Sequence, residues 1–573
     1  MYCRVLGCDY DGTGASDGHL APEVSVALAG ARAQGVVTLL VTGRVLDDLR
    51  VAEVDLANFD AVVAENGAVV WLPASQRLIQ LGEPPPEHFL GELRARGVPL
   101  QAGAVVVGTW DHHTGDVLDL IRRMGIDAQL IFNRAAMMLL PSGINKAVGV
   151  RRALEELGRS ERNMIAFGDA ENDHPLFAVA EIAVAARGSV PAVATAADER
   201  LTQPGAGGVA LYVQHLLSHA CVAPTPPRRH VVLGQDAAGR PATLPGSGLN
   251  VMISGDPRSG KSWIAGLTTE RLIEQGYRLC LIDPEGDHLA LGRRPTILLF
   301  GHQLALPPPA VVPRILREQL VSVVLSLASL PQSEKLAYAD AVLCALEQSR
   351  VATGLPHWIV IDEAHYFYHE ASPCCRHFES RTGNYVFVTY RPSLVAGAIY
   401  ATVGAHVVTR TEVEEERYFV TSLLQARGPR DLAATQALGA ITSPRAGLLL
   451  ENPAGPRWQL FTPGERASAH THHGRKYAYT ELPEHLAFRF LYTGERKTVV
   501  AHTVAEFCAA VETVSLGSLR HHMLHGDFGR WAKEILGDAE LAAGLRKLEH
   551  TTLAGAQPNR EEIIDHVRDR YHI

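Results

Sequence analysis

Short apolar segments alternate with amphipathic segments along the first 220 residues. "RVLGCD" (4–9) and "VVTLLVTGR" (36–44) have the composition of buried strands, and "PEVSVALAGARAQG" (22–35) between them has the spacing of a helix. Alternation of strands and helices is typical of a parallel sheet covered by helices. The pattern therefore predicts an α/β domain over residues 1–220.

A second group of buried strands is predicted after residue 230. Four apolar runs each end in polar residues: "NVMISGD" (250–256), "RLCLIDPEGD" (278–287), "HWIVIDEAH" (357–365) and "YVFVTYRPS" (385–393). Ligands of open α/β sheets bind at the carboxyl ends of the strands, so these polar ends are the expected functional positions. The pattern predicts a second α/β domain over residues 231–465.

Two further segments complete the predicted organisation. "CVAPTPPRRH" (221–230) predicts a linker, because consecutive prolines cannot continue a helix or a sheet ladder. Residues 480–573 contain amphipathic stretches such as "TVAEFCAAVETV" (503–514) and "DAELAAGLRKLE" (538–549). They predict a small, mainly helical C-terminal domain.

Composition narrows the class of protein. The chain of 573 residues is too long for one hydrophobic core, and its 47% hydrophobic and 20% charged residues are ordinary for globular domains. The net charge of −9 does not indicate a globally basic nucleic-acid binder, although a local basic channel could still contact phosphates. The eight cysteines form no CxxC pair, and no apolar run approaches the roughly 20 residues of a membrane span. We expect free thiols in a soluble, cytoplasmic protein without a membrane partner.

Asp9 and Asp11 lie at the end of the first predicted strand. Two adjacent carboxylates repel each other unless a cation lies between them, and Mg²⁺ held by carboxylates and a substrate phosphate would supply that cation. One carboxylate could then attack phosphorus while the other transfers a proton. The alternative is an Asx-turn that merely ends the strand.

Polar residues further along the chain favour a phosphate-binding site over a simple turn at Asp9 and Asp11. Thr42 and Gly43 end a predicted strand and offer a hydroxyl and an N–H group to a phosphate oxygen. Lys146 begins a predicted helix, and Asp169 and Asp173 follow another strand and add carboxylates for a metal. The combination, rather than any single member, points to phosphate chemistry.

These four stretches resemble a known set of motifs. "DYDGT" (9–13), "VTGR" (41–44), Lys146 and "GDAEND" (168–173) resemble the four ordered motifs of the haloacid dehalogenase (HAD) superfamily. "AENGAVV" (64–70) and the segment 183–210 are similar to its Cof-type and sucrose-phosphatase-like members. The resemblance implies an α/β, Rossmann-like HAD domain with a small α/β cap over about 68–140 that selects the substrate.

The resemblance also implies a role for each residue of the site. Asp9 would be the nucleophile that forms an aspartyl-phosphate, and Asp11 the general acid and base. Thr42 and Lys146 would hold the phosphoryl group of a phosphorylated small molecule or nucleotide. The Mg²⁺ ligands would come from Asp9, Asp11, Asp169 and Asp173.

A second phosphate-binding motif lies in the middle of the chain. "GDPRSGKS" (255–262) matches GxxxxGK[ST] between a predicted strand and a helix, where backbone N–H groups cradle phosphates. Lys261 would reach the β and γ oxygens of ATP, and Ser262 would bind Mg²⁺. Asp362 would hold Mg²⁺ through water and Glu363 would polarise the attacking water, although a plain strand end is the alternative. The predicted nucleotide-binding residues are Gly255, Asp256, Pro257, Arg258, Ser259, Gly260, Lys261, Ser262, Asp362, Thr389, Arg391 and Arg410.

The order of these strands resembles the HerA/FtsK/VirB4 class of hexameric ATP-driven motors, including "DPEGD" (283–287) after the first helix. The resemblance implies a RecA-like P-loop ATPase domain in a ring-shaped homo-oligomer, with a hexamer favoured. Tyr390 stands where members usually have Gln, so sensing of the γ-phosphate would fall to Thr389 or Arg391. Arg410 would be an arginine finger that reaches a neighbour's nucleotide.

The combined prediction is a bifunctional hydrolase in which a Mg²⁺-dependent phosphatase is coupled to an ATPase ring. The alternative is an ATP-driven nucleic-acid translocase of genome maintenance or defence, in which the HAD domain processes a nucleotide or a phosphate end. A third interpretation treats one of the two sites as a decayed scaffold. The C-terminal segment is similar to a small helical domain of uncharacterised multidomain bacterial proteins.

Overall fold

The structure, a computed structural model, describes residues 2–571 apart from 17, 53, 134, 380–382, 427–431, 440, 442–445, 452–456, 469–481, 483, 485, 492–498 and 537. Among the helices of these described residues, none is both long enough and apolar enough to cross a bilayer. All eight cysteines are free thiols, and six of them are buried.

The N-terminal domain contains two sheets. Its strands β1 to β14 are Val5–Asp9, Ala15–Ser16, His19–Leu20, Val37–Val41, Ala61–Ala64, Val69–Leu72, Arg77–Gln80, Gln101–Ala102, Val107–Trp110, Gln129–Asn133, Ala136–Leu140, Met164–Gly168, Ile182–Arg187 and Glu199–Pro204. Its helices α1 to α8 are Pro22–Ala33, Leu46–Val51, Glu87–Ala95, Thr114–Met124, Lys146–Glu156, His174–Val179, Pro191–Ala196 and Gly205–Ser218.

The larger sheet has the order β14-β13-β12-β1-β4-β5-β6-β7 and is parallel from β14 to β5. Every residue of β1 and β4 is buried, because helices cover both faces of the sheet. Helices α1 and α8 pack on one face and α5 and α6 on the other, with a separate apolar core on each side. The predicted parallel α/β architecture of this region is confirmed.

The cap is a separate four-stranded antiparallel sheet of order β10-β11-β9-β8, packed against α3 and α4 through its own apolar core. It begins later than the expected position 68. Strands β6 and β7 instead extend the larger sheet by antiparallel pairing with β5 and with each other. Strand β6 is wholly apolar, and β7 has two adjacent apolar residues between two polar ones, so the sequence pattern did not decide which sheet they join.

The middle domain follows residue 230. Its strands β15 to β25 are Val231–Gln235, Pro241–Leu244, Asn250–Ser254, Leu279–Asp283, Ile297–Phe300, Ser322–Ser326, Trp358–Ile361, Tyr385–Thr389, Val403–Val408, Gly447–Glu451 and Arg457–Pro463. Its helices α9 to α14 are Lys261–Glu274, Val312–Glu318, Gln332–Thr353, Gly397–Tyr400, Glu414–Ala426 and Leu432–Gly439.

These strands form one sheet of order β16-β15-β25-β24-β23-β17-β22-β21-β18-β20-β19. The part from β23 to β19 is parallel, and the other strands are added by antiparallel pairing. Strand β17 lies between β22 and β23 in the interior of the sheet, and all five of its residues are buried. The loop after β17 therefore opens at the carboxyl edge of the parallel part of the sheet.

The predicted linker is packed rather than extended into solvent. Cys221 is buried, and Arg229 donates hydrogen bonds to the carbonyl oxygens of Ala178 and Ala180. Arg228 forms a two-nitrogen ion pair with Asp198 of the N-terminal domain. The segment carries arginines as well as prolines, and these charges attach it to the N-terminal domain.

The C-terminal region has an apolar core of its own. It contains strands β26 and β27, Phe488–Phe490 and Val499–Ala501, and helices α15 to α19, Val504–Thr513, Leu516–Leu524, Asp527–Glu534, Ala539–Leu553 and Arg560–Tyr571. The imidazole of His522 pairs with Asp527 at 2.7 Å and accepts a hydrogen bond from the N–H of Leu491 at 3.0 Å. This histidine is therefore engaged in holding β26 against the helices.

Candidate active sites

The register of the larger N-terminal sheet brings its polar strand ends together. Asp9 of β1 pairs with Val41 of β4, and Cys8 of β1 pairs with Phe167 of β12. Because the three strands are parallel and neighbouring, Asp9, Thr42 and Asp169 lie at the same edge. The strand ends that are far apart in the sequence thus form one site.

Lys146 lies at the centre of this site. Its ammonium nitrogen is 2.6 Å from Asp9 Oδ1 and 2.6 Å from Asp173 Oδ1, and all three side chains are buried. Burial disfavours the charged ammonium, but the carboxylates of Asp173 and Asp9 outweigh it and raise the pKa of Lys146. The preceding Asn145 caps α5 by accepting hydrogen bonds from Ala147 and Val148, which fixes the start of the helix.

Three carboxylates form a group that fits a metal ion. One oxygen atom from each of Asp9, Asp169 and Asp173 lies within 4.8 Å of the others. Burial first, and then the charge of Asp173, raises the pKa of Asp9 well above its usual value. Such repulsion is relieved by a hard cation, and an all-oxygen ligand set suits Mg²⁺.

Close packing around Asp169 also supports a metal site at the three carboxylates. The hydroxyl of Thr13 donates to Asp169 Oδ1 at 3.3 Å, and a Cβ on Gly12 would lie 2.3 Å from Asp169 Oδ2. Gly12 also has a φ of 78°, which favours glycine. The glycine of "DGT" therefore leaves room for the carboxylate to face Asp9.

Asp11 is placed apart from the three carboxylates. The guanidinium of Arg44 donates to both of its oxygens, at 2.9 Å from Nε to Oδ2 and 2.6 Å from Nη2 to Oδ1. The Asp11 side chain is 41% exposed and lines a cleft of about 380 Å³ beneath the cap, together with Thr109 and Trp110. This position suits proton transfer to a leaving group in the cleft better than metal binding.

Thr42 and Asp173 are held by backbone groups. The hydroxyl oxygen of the buried Thr42 accepts a hydrogen bond from the N–H of Arg44 at 3.1 Å. Asp173 Oδ2 accepts from the N–H groups of Asp169 and Ala170 at 2.8 and 3.0 Å, which leaves Oδ1 facing Lys146. Five of the six predicted HAD-type residues are thus buried near the carboxyl edge of the sheet, and Asp11 lines the neighbouring cleft.

A second convergence occurs in the middle domain. Ser254 of β17 pairs with Thr389 of β22, and Ile282 of β18 pairs with Ile361 of β21. The loop 255–260, Asp283, Asp362 and Thr389 therefore lie along one carboxyl edge. This edge carries every strand end that the sequence predicted for nucleotide binding.

The predicted loop turns tightly between β17 and α9. Three of its residues have positive φ, Gly255 at 150°, Arg258 at 64° and Gly260 at 98°. Lys261 begins α9, is buried, and directs its ammonium to the carbonyl of Asp256 at 3.5 Å. An ammonium at the amino end of a helix is unfavourable alone, so a bound anion would stabilise this arrangement.

Acidic residues lie close to the start of α9 on the other side of the loop. The hydroxyl of Ser262 donates to Asp287 Oδ2 at 3.4 Å. Asp362 Oδ2 lies 3.2 Å from His288 Nε2, and both side chains are buried. Burial disfavours the charged imidazole of His288, but the hydrogen bond and charge of Asp362 outweigh it and raise the His288 pKa.

The remaining predicted residues surround this group. Glu363 is fully buried at a φ of 46°, and His365 Nδ1 lies 3.7 Å from its carboxylate and 2.9 Å from Thr389 Oγ1. Thr389 Oγ1 also accepts from the N–H of Arg391 at 2.9 Å. Pro257 and Arg391 line a second cavity of about 420 Å³ beside the loop.

Arg410 lies beside the loop of its own chain. Its carbonyl accepts a hydrogen bond from the N–H of Asp256 at 2.9 Å, and its side chain lies 3.8 Å from Glu412. Ser259 shares a hydrogen bond with Thr409 in the same segment. The Arg410 backbone thus supports the loop, whereas its expected role toward a neighbour's nucleotide remains a prediction.

Several residues of the two sites were not singled out from the sequence. Arg44 directly follows Thr42 and Gly43, and its position in "VTGR" was a usable signal. His288, one residue beyond "DPEGD", carried no signal of its own, because its partner Asp362 is 74 residues away. Pairings of this kind depend on which strands are neighbours in the sheet.

Comparisons with known proteins concern the N-terminal part of the chain. A profile of the haloacid dehalogenase-like hydrolase family matches residues 129–213. Phosphoglycolate phosphatase 2 of Saccharolobus solfataricus is 36% identical over 104 residues, which are 18% of this chain and 44% of that protein. The phosphoglycolate phosphatase of Methanothermobacter thermautotrophicus is 28% identical over 220 residues, which are 37% of this chain and 99% of that protein.

The chain thus spans less than half of the first of these relatives and almost all of the second. Among solved structures, a haloacid dehalogenase-like hydrolase from Bacteroides thetaiotaomicron matches 37% of this chain and 99% of its own, with a TM-score of 0.33 and 18% identity.

Proposed function

From the premise that the N-terminal part of this chain is a haloacid dehalogenase-like hydrolase domain, we propose that the protein is a phosphatase that hydrolyses phosphate monoesters through Asp9. The observation that carries the proposal is the contact of Lys146 with Asp9 and Asp173 beside Asp169, at the end of parallel strands. This arrangement places a nucleophilic carboxylate beside a cation for the phosphoryl oxygens in one buried cluster.

The reaction follows from the positions of the side chains. A carboxylate oxygen of Asp9 attacks phosphorus while the ester oxygen leaves and takes a proton from Asp11. Water then attacks the aspartyl-phosphate, and Asp11 accepts its proton as phosphate leaves and Asp9 is restored. Arg44 holds the Asp11 carboxyl toward the cleft, where the leaving group lies.

Thr42 and Lys146 bind the phosphoryl oxygens that gain charge during both steps. Asp9, Asp169 and Asp173 would hold Mg²⁺, which supplies positive charge beside the phosphoryl group when it is bound. Asp11, expected in the same ligand set, lies outside the group of three carboxylates, and its position in the cleft suits the proton transfers.

The substrate is a phosphorylated small molecule. The cleft of about 380 Å³ beneath the cap is large enough for a compact leaving group and has both polar and apolar walls. Two relatives of the domain are named phosphoglycolate phosphatases, and phosphoglycolate is therefore the first substrate to test.

The test is a screen of phosphate monoesters and nucleotides with Mg²⁺, including phosphoglycolate, on the wild type and on Asp9→Asn. We expect phosphate release by the wild type and a loss of at least about 10³-fold in Asp9→Asn, because the amide is not a nucleophile. Asp47→Asn, an exposed change on α2, is the matched control. Hydrolysis that persists in Asp9→Asn would refute the assignment of the nucleophile.

The middle domain favours a second activity, hydrolysis of ATP. The supporting observation is that Lys261, Ser262, Asp362, Glu363 and Thr389 lie at one carboxyl edge around a glycine-bounded loop. Lys261 would bind the terminal phosphates, Ser262 and Asp362 would hold Mg²⁺, and Glu363 would orient the attacking water. In this proposal the protein is a bifunctional hydrolase that assembles as a ring, with a hexamer favoured.

Three measurements test the middle domain. ATP turnover by the purified protein tests the ATPase activity, and light scattering with and without ATP tests whether a ring forms. Addition of DNA to the ATPase assay distinguishes a nucleic-acid motor from an ATPase that acts on the phosphatase. Stimulation by DNA favours a nucleic-acid motor, whereas an unchanged rate favours an ATPase that acts on the phosphatase.

A further inference from the structure

The segment 65–67 has an unusual backbone next to the carboxylate site. Glu65, Asn66 and Gly67 have φ values of 52°, 54° and 98°. Two consecutive non-glycine residues with positive φ persist only where the surroundings hold them. The N–H of Glu65 donates to the carbonyl of Arg44 at 2.9 Å, and the N–H of Asn66 donates to that of Thr42 at 3.0 Å. The segment is thus fixed against a strand end of the site.

The side chain of Glu65 faces the cap. Its carboxylate accepts hydrogen bonds from the N–H groups of Ala104, Val105 and Val106 at 2.8, 2.8 and 2.9 Å, and the residue is 2% exposed. A Cβ on Gly103 would lie 2.6 Å from Glu65 Oε2, so the close approach requires a glycine there. Charge-assisted hydrogen bonds of this kind are short and directional.

The anchored amides lead directly into the wall of the cleft. Strand β9 begins at Val107, and its residues Thr109 and Trp110 line the cleft together with Asp11 and Arg44. Only one residue lies between the last anchored amide, that of Val106, and Gly108, which also lines the cleft. The position of this wall therefore depends on the carboxylate of Glu65.

We infer that Glu65 is a positioning residue that holds cap strand β9 over Asp11 and Arg44. It does not reach the cleft floor itself and acts through the cap backbone. This role deepens the proposed phosphatase function and rests on it, but the anchoring contact can be tested independently of activity.

The first experiment is amide hydrogen exchange on the full chain. Glu65→Gln keeps the shape of the side chain but replaces one acceptor oxygen by an NH₂ group. We expect exchange at residues 104–106 to accelerate by about 10-fold or more, because charge-assisted hydrogen bonds are lost. Gly103→Ala should produce the same acceleration from the cap side, whereas Glu87→Gln on the exposed face of α3 should not. Unchanged exchange at residues 104–106 in both test variants overturns the inference.

The second experiment compares two phosphate esters with leaving groups of different size. Acetyl phosphate has a leaving group too small to depend on Trp110, whereas p-nitrophenyl phosphate extends toward β9. Glu65→Gln should raise the KM for p-nitrophenyl phosphate by about 5-fold or more and leave kcat for acetyl phosphate within about 2-fold. An equal fall of kcat on both esters indicates general damage and overturns the positioning role. A wild type that hydrolyses neither ester refutes the phosphatase proposal instead, and the exchange experiment then decides the anchoring.

Discussion

The hydroxyl of Tyr277 donates a 2.6 Å hydrogen bond to Glu181, and this contact joins the two α/β domains inside a buried junction. Glu181 also accepts from Arg162 at 3.1 Å, and it is fully buried. Glu181 precedes β13, and Tyr277 precedes β18, so the junction lies at the amino ends of both parallel sheets. The carboxyl edges that carry the two candidate sites therefore face away from the junction.

This junction makes the stability of the chain depend on a contact between domains. Tyr277→Phe removes one donor from a buried carboxylate, and we expect the free energy of unfolding to fall by about 1–3 kcal/mol. Urea denaturation measures the change. Tyr418→Phe, at a residue that is 75% exposed, is the control with the same loss of a hydroxyl. Equal stability of the Tyr277 and Tyr418 variants would contradict a role for the contact.

His357 at the same junction predicts a dependence of stability on pH. Its Nδ1 accepts a hydrogen bond from the N–H of Arg278 at 2.7 Å, and burial first, then the charges of Arg278 and Arg162, lower its pKa well below the usual value. Below about pH 6.5, His357 therefore binds a proton in the unfolded chain but stays neutral in the folded chain. The folded state therefore keeps its full stability with respect to His357 above pH 6.5. It loses stability as the pH falls below that value, because the unfolded chain then gains the proton.

We expect this histidine to steepen the fall of stability below pH 6.5 by up to about 1.4 kcal/mol per pH unit. His357→Gln should flatten the profile in that range, and the exposed His302→Gln should leave it unchanged. Denaturation curves between pH 5 and 7.5 measure the slope. Identical slopes for the wild type and His357→Gln would rule out this histidine as the cause.

The three carboxylates predict stabilisation by Mg²⁺ without any substrate. A cation that binds the folded chain at 100 times its Kd stabilises it by about 2.7 kcal/mol, so we expect the unfolding temperature to rise by a few degrees. EDTA should reverse the rise. Asp169→Asn should abolish it, because one of the three ligands is removed, whereas Asp47→Asn should retain it. A rise of the same size in Asp169→Asn would place the ion elsewhere.

We expect a substitution in the proposed ATPase site to abolish ATP turnover without affecting phosphate-ester hydrolysis at the N-terminal site. Lys261→Ala removes the ammonium that would bind the terminal phosphates, and we expect ATP turnover to fall by about 10²-fold or more. Phosphate-ester hydrolysis should change by less than about 2-fold, because the two carboxyl edges face away from their shared junction. Lys533→Ala, an exposed change on α17, is the control. Loss of both activities in Lys261→Ala alone would show that the sites are coupled.

Much of the N-terminal site could be predicted from the sequence because its residues belong to local patterns. Asp9, Thr42 and Asp169 each follow a run of buried apolar residues, and the order of the runs indicated parallel strands. The pairing of Arg44 with Asp11 could not be predicted, because it depends on how the loops after β1 and β4 face each other. The boundary of the cap could not be predicted either, because it depends on the pairing of β6 with β5 and of β7 with β6 in the folded chain.

The sequence by itself determined many of the helices and strands and where the two predicted phosphate-binding motifs lie on them, because local periodicity and glycine positions act within a few residues. Only the tertiary structure decided that 221–230 is packed, that Glu65 reaches the cap, and that Glu181 meets Tyr277. Those contacts join residues tens of positions apart. They depend on sheet order and domain docking, in which buried charges must find partners that no local pattern specifies.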